Sequence, residues 1–111
     1  MANPNPSFLN GVPELVILKL LSTQPMYGYQ LVKAIQQSSQ EQFAFGEGCI
    51  YPTLHDLERR RLLTSQRRTI AGRNRHYYRL TVRGEKRLTE LSQEWQRVVN
   101  GVRLVFGGTY A

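Results

Sequence analysis

The 111-residue sequence predicts a mainly α-helical fold with a small β-hairpin. Two observations carry this prediction. Apolar residues recur at helical spacing in four segments, and two short segments of strand-forming residues flank Gly72. A hydrophobic fraction of 41% can furnish one modest core at this length, so further burial between two copies of the chain would add stability.

Two helices are predicted in the first third of the chain, over residues 14–21 and 27–37. Pro13 suits the first turn of the earlier helix, which is apolar almost all the way round and is therefore expected to be buried on two sides. The later helix alternates apolar and polar residues with helical period. Residues 38–48 are mostly polar, and they predict a loop with one short strand around residues 43–45.

A third helix is predicted over residues 49–62, because Ile50, Leu54 and Leu57 fall on one stripe. Pro52 is expected in its first turn, where a missing N–H has no intrahelical partner to lose. The opposite, polar face carries Tyr51, Pro52, His55 and Arg59.

A hairpin with basic arms is predicted next, with strands over residues 63–69 and 75–80 and a tip over residues 70–74. Two strands alone are marginally stable in water, so the hairpin must pack on the helices. The side chains expected to face inward are Leu63, Tyr78 and Leu80.

The last predicted helix begins after Thr81, a suitable N-cap, and runs to about Phe106, although Gly84 stands where a capping box would have an acid. Its apolar seam has heptad spacing and consists of Leu88, Leu91, Trp95, Val98, Val102 and Val105. So narrow a seam favours pairing with a second copy of the chain. Leu15 and Leu18 of the first helix are expected in the same interface.

Charge is concentrated in one segment of a chain whose formal net charge is +7. Residues 59–87 contain eleven basic residues, ten of them arginine, and one acid, Glu85. Guanidinium groups suit bidentate contact with phosphate or guanine, so the bias favours double-stranded DNA as the partner. The alternative is a solvated basic face that binds nothing in particular.

Three helices, a basic hairpin and a terminal heptad helix, in this order, are typical of a winged helix-turn-helix followed by a C-terminal dimerisation helix. The predicted division is a flexible arm (residues 1–11), a winged-helix DNA-binding domain (12–81), the dimerisation helix (82–106) and a tail (107–111).

Three stretches resemble the PadR family of bacterial transcriptional regulators: residues 27–31 (YGYQL), 48–58 (GCIYPTLHDLE) and 75–84 (RHYYRLTVRG). The resemblance runs from about Val12 to Trp95. It implies a homodimer of the short branch of the family, with the third helix in the major groove, the wing along the backbone or minor groove, and the first and last helices at the interface.

The polar face and the resemblance together select the candidate DNA-binding residues. They are Tyr51, Pro52, His55, Arg59, Arg73, Arg75 and Tyr77. Tyr51 matches a family tyrosine expected to contact phosphate. Pro52, His55 and Arg59 are expected to contact bases, and the three wing residues to contact phosphates. Some members of the family accept flat aromatic ligands at the dimer interface, so Trp95 is a candidate ligand contact.

The sequence departs from the family pattern at three places. Cys49 stands where Thr or Ser is usual, His55-Asp56 where a basic residue is common, and Arg61 where Gly often ends the third helix. The first two affect the expected operator sequence. At the third, either Arg61 adopts the left-handed conformation at about 1 kcal/mol or the helix ends differently. A redox role for Cys49 is the lesser alternative to that of a tolerated small residue.

Several classes of protein are disfavoured. The sequence has no phosphate-binding glycine loop, nucleophile motif or paired carboxylates, so no enzyme activity and no cofactor are expected. His55, His76 and the single cysteine lack metal-ligand spacing. No export or membrane segment is recognised, and a cytoplasmic location is expected. We therefore expect a repressor that binds a palindromic operator as a homodimer. The open alternative is a winged-helix module that binds protein or RNA without operator specificity.

Overall fold

The apolar stripes of three helices close over one face of a small sheet. The structure is a computed structural model that describes residues 10–107. Its elements, in chain order, are α1 (Val12–Leu21), β1 (Met26–Tyr27), α2 (Gly28–Ser38), α3 (Glu47–Arg59), β2 (Leu63–Ile70), β3 (Arg73–Leu80) and α4 (Val82–Val105). The strands form an antiparallel sheet in the order β1-β3-β2. The predicted fold class, helices with a small hairpin in a winged-helix arrangement, is confirmed.

The core confirms the apolar stripe of the third helix. Its fully enclosed side chains are Ile17, Leu18, Leu31, Ile50, Leu54, Leu57 and Leu63. Leu18 was expected at a dimer interface, but none of its surface is exposed, because it lies on the face of α1 that the domain's own core covers. It cannot contact a second copy. Leu15 is half-buried and keeps some surface.

The loop after α2 contains no strand, so the strand expected around residues 43–45 is wrong. Phe43 and Phe45 instead stack on one another with ring centroids 5.5 Å apart, and Phe45 joins the core. The strand that the sequence did not predict is β1, whose Met26 and Tyr27 pair with Tyr78 and Tyr77 of β3. A strand of two residues is too short to show an alternating pattern.

Helix α3 begins two residues earlier than predicted and ends three residues earlier. Its end is a Schellman motif, in which the N–H of Leu62 donates to the Leu57 carbonyl and that of Arg61 donates to the Glu58 carbonyl, both at 2.9 Å. Arg61 has φ 64°, so it takes the left-handed conformation that the missing glycine would have adopted without strain.

The wing is longer than predicted and its turn is tighter. Strands β2 and β3 stay in register from the pair Leu63 and Leu80 to the pair Ile70 and Arg73. Only Ala71 and Gly72 connect them, with φ 53° and 78°. Two residues with positive φ are what a type I′ turn requires, and that turn matches the twist of the paired strands.

The start of α4 explains why Gly84 replaces the expected acid. The Thr81 hydroxyl accepts a hydrogen bond from the Gly84 N–H at 3.0 Å, as an N-cap does. A Cβ on Gly84 would overlap the carbonyl oxygen of Leu62 and lie 3.0 Å from Leu80 Cδ2. The helix therefore approaches the end of α3 so closely that only glycine fits.

We expect Gly84→Ala to destabilise the protein by about 1–3 kcal/mol, because backbone must move to admit the methyl group. Gly101→Ala is the matched control on the same helix, since a Cβ there meets nothing within 4 Å. That change should stabilise the helix by roughly 0.5–1 kcal/mol. Denaturant unfolding of the two variants measures the difference, and equal midpoints would contradict the close approach.

Candidate nucleic-acid interface

A cleft of about 630 Å³ separates α3 from the edge of β3. Its lining consists of Tyr27, Gly28, Tyr29, Glu47, Tyr51, His55, Arg73, Arg75, His76 and Tyr78. Four of the seven predicted DNA-binding residues therefore meet here: two from the helix and two from the wing. Pro52, Arg59 and Tyr77 lie outside the cleft.

The ring of Tyr51 packs closely against Gly28 at the start of α2. A Cβ on Gly28 would lie 2.7 Å from Tyr51 Cζ and 2.9 Å from its hydroxyl oxygen. Burial raises the pKa of the Tyr51 hydroxyl, and the nearby Glu47 and Tyr27 raise it further. Tyr51 therefore stays protonated at neutral pH and can donate a hydrogen bond to a phosphate oxygen.

Pro52 and His55 are the outward residues of α3 on the side of the cleft, and both are exposed. The expectation that Pro52 lies in the first turn is wrong, because the helix starts at Glu47 and Pro52 lies inside it. Pro52 gives no N–H to the carbonyl of Gly48. Since Gly48 is exposed, that carbonyl can be satisfied by water rather than left buried.

Arg59 is exposed but not free. Its Nη2 lies 2.8 Å from Oδ1 of Asp56, whose other oxygen lies 3.0 Å from Arg60. Hydrogen bonds from Arg60 and then Arg59 lower the pKa of the Asp56 carboxyl, which stays ionised at neutral pH. The guanidinium expected to read a base is thus already engaged by the aspartate that departs from the family pattern.

Glu14 of α1 forms ion pairs with Arg60, at the end of α3, and with Arg87 of α4, so the charges of these two arginines are partly neutralised. Its carboxylate lies 3.1 Å from Arg60 Nη1 and 3.2 Å from Arg87 Nε. By contrast, the wing arginines form no ion pair with an acid within residues 10–107; they are Arg67, Arg68, Arg73, Arg75 and Arg79. Five positive charges without a carboxylate partner among the described residues therefore lie together on the wing.

Tyr77 lies on the face of the sheet opposite the core and is half-buried. Its ring meets that of Tyr27 edge to face, with centroids 5.3 Å apart. Arg68 lies 5.1 Å from the Tyr77 ring and Arg75 lies 4.2 Å from the Tyr27 ring. No local pattern marks Tyr27 and Arg68 as site residues, because only the register of the three strands shows that they share this face.

The model of the family described as "Transcriptional regulator PadR-like family" matches residues 17–90. The chain belongs to the PadR family. It is therefore a transcriptional regulator of a family whose members are not enzymes, and the resemblance drawn from the sequence is confirmed.

Relatives of this PadR protein match it over different lengths. It is 44% identical over 55 residues to the transcriptional regulator Rv3488 of Mycobacterium tuberculosis, covering 50% of this chain and 51% of that protein. It is 42% identical over 57 residues to the transcriptional regulator YqjI of Escherichia coli, covering 51% of this chain and 28% of that protein. The chain thus spans about half, or less, of these two curated relatives.

A solved structure of a PadR-like transcriptional regulator from Bacillus cereus is similar over nearly the whole chain. It superposes with a TM-score of 0.82 at 29% identity and covers 92% of this chain and 98% of that one. The superposition therefore extends beyond the winged helix into the last helix, α4, of this PadR regulator.

The heptad seam of α4 divides into two parts in this PadR protein. Leu88 and Leu91 are half-buried against the domain's own core. Further along, Trp95 is 49% exposed, Val98 53% and Val102 44%, and Val105 is more exposed still. From residue 92 to residue 107 every residue but Val99 is exposed. This half of the helix projects from the domain with its apolar seam uncovered.

Within residues 10–107, no group of three or more His, Cys, Asp or Glu side chains is placed to hold a metal ion. Among the same residues, no helix combines the length and the apolar character needed to cross a bilayer. Cys49 is half-buried near the start of α3.

Proposed function

We propose that this PadR regulator is a repressor that binds a palindromic operator as a homodimer, with α3 in the major groove and the wing on the backbone. The observation that carries the proposal is the cleft in which Tyr51 and His55 of α3 face Arg73 and Arg75 of the wing. A protonated hydroxyl and two arginines without acidic partners suit phosphates, while exposed α3 side chains suit base edges.

The candidate residues divide by role. Pro52 and His55 are exposed and unpaired on α3, so we assign base contacts to them first. Arg59 already pairs with Asp56, so we rank it below them as a base contact. Arg73 and Arg75 contact phosphates together with Tyr51, and Tyr77 acts through the arginine stacked on it.

Dimerisation is supported by the uncovered seam of α4. Trp95, Val98 and Val102 follow heptad spacing and are about half exposed, and they continue a seam whose first residues pack on the domain. A second copy of the same helix would cover them symmetrically. Two reading helices related by that symmetry would contact half-sites about one helical turn apart.

An aromatic effector is the last part of the proposal. In a symmetric dimer, Trp95 would lie near its counterpart, and two indole faces can stack on a planar molecule. A molecule bound in that space would shift one subunit relative to the other. The distance between the two α3 helices would then no longer match the spacing of the half-sites, and the operator would be released.

Selection of bound duplexes from a random DNA pool should recover a palindrome, and variants should separate the two roles. Arg73→Gln with Arg75→Gln should weaken all duplexes alike and reduce the slope of log affinity against log salt by about 2, because two phosphate contacts are lost. His55→Ala should instead change which sequences are preferred.

The control is Arg97→Gln, which removes an exposed arginine from the far part of α4 and should leave both properties unchanged. An unenriched pool, or DNA binding lost entirely as salt rises, would favour the alternative of a module without operator specificity.

Val98→Glu with Val102→Glu should convert the dimer to a monomer, because a paired seam would bury two unpartnered carboxylates in each copy. Sedimentation velocity measures the change. Leu104→Glu is the control, since Leu104 is 78% exposed and lies off the seam. A wild-type protein that sediments as a monomer at micromolar concentration contradicts dimerisation.

Planar aromatic compounds should quench the fluorescence of Trp95, which is the single tryptophan of the chain, and should lower operator affinity in the same concentration range. A flat titration across a varied panel would argue that Trp95 only fills the interface.

A further inference from the structure

The strand register places two positive charges side by side on the face of the wing that points away from the core. Arg68 of β2 lies directly opposite Arg75 of β3, on the same face of the sheet. Like charges in that position destabilise a strand pair. Neither arginine forms an ion pair with a carboxylate among residues 10–107, so acids do not relieve the repulsion.

The rings of two tyrosines on this face attract the two guanidinium groups and so offset the repulsion between them. Tyr27 and Tyr77 are cross-strand partners of β1 and β3, next to the arginine pair. The Arg75 guanidinium lies over the Tyr27 ring and the Arg68 guanidinium over the Tyr77 ring. Each cation is attracted by a different ring face. The two rings meet edge to face, so the four side chains form one continuous row of contacts, Arg75–Tyr27–Tyr77–Arg68.

A cation–π contact with a ring does not use up the N–H donors of a guanidinium group. An arginine carries five N–H donors in the plane of the group, in a fork that matches two oxygens of a phosphate. A guanidinium already ordered by an aromatic ring loses less conformational freedom when it binds. This row of arginine and tyrosine contacts therefore has the chemistry of a preorganised site for phosphodiester groups.

Tyr27 also connects this site to the reading helix. It is the last residue of β1 and the N-cap of α2, and its N–H donates to Oε1 of Gln30 at 3.4 Å. Both Tyr27 and Arg75 line the cleft beside Tyr51 and His55. The position of the Arg75 guanidinium relative to α3 is thus set by a residue of the helix-turn-helix.

We propose that Arg68 and Arg75 form a two-arginine clamp for the DNA backbone, in which Arg68 is a further phosphate-binding residue and Tyr27 is the positioning residue that orients Arg75. This inference rests on the proposed function. It adds one phosphate contact that the sequence did not indicate and gives a tyrosine of the helix-turn-helix a role in wing binding.

The test measures binding of the full-length protein to a labelled selected duplex and to a random duplex of equal length over a series of salt concentrations. Arg68→Gln should lower the salt slope by about 1 for both duplexes, as loss of one phosphate contact does. Arg97→Gln, which removes the same charge from the far part of α4, should keep the wild-type slope. Equal slopes for Arg68→Gln and the wild type overturn the role of Arg68.

The role of Tyr27 is tested by a double-mutant cycle with Arg75. Tyr27→Leu should weaken both duplexes about two- to fivefold through loss of the cation–π contact, and Tyr27→Phe should recover most of that loss, because the ring face remains. In an Arg75→Gln background, Tyr27→Leu should have little further effect. The same loss in both backgrounds would show that Tyr27 acts only on the fold.

Circular dichroism establishes whether Tyr27→Leu is folded. If that variant does not fold, Tyr27→Trp, with and without Arg75→Gln, replaces it. Because Trp is the strongest cation–π partner, this change should alter binding only when Arg75 is present, and an equal effect in both backgrounds overturns the positioning role. Failure of the proposed function looks different, because the wild-type protein would then show no preference for any duplex.

Discussion

Pairing between β1 and β3 is the contact on which the reading surface depends. Only two residue pairs are involved, yet they turn a two-stranded hairpin, which is marginal alone, into a sheet attached to the helix-turn-helix. The side chains of Met26 and Tyr78 lie in the core, and the rings of Tyr27 and Tyr77 meet edge to face on the other side of the sheet. The wing consequently has a defined position beside α3, and the cleft between them has a defined shape.

Acidic residues decide which arginines remain available to a polyanion. Glu14 and Asp56 engage Arg59, Arg60 and Arg87 near the junction of α1, α3 and α4. These partly exposed ion pairs add little stability individually, but they reduce the positive potential there. The arginines of the wing form no ion pair with an acid among residues 10–107. They are therefore the part of the basic segment that is better suited to exchanging counterions for DNA phosphates.

The apolar seam of helix α4 has two parts. The first part covers the core, where Gly84 allows the close approach to Leu62, and the later part leaves Trp95 and the valines beyond it exposed. A domain of this size buries a limited fraction of its surface, so the proposed dimer would add burial that the single chain lacks.

The sequence by itself determined what depends on local patterns: the buried stripe of α3, the paired strands of the wing, the Thr81 cap and the heptad spacing of α4. The family resemblance pointed to the same surface. Only the tertiary structure decided that Leu18 is enclosed, that Pro52 lies inside its helix, that Arg61 takes the left-handed conformation, that Asp56 engages Arg59 and that Tyr27 contacts Arg75. The physical reason is that most of these outcomes depend on contacts between elements or on where a helix begins. Glu14 and Arg87 are 73 positions apart, and no local pattern records that they meet.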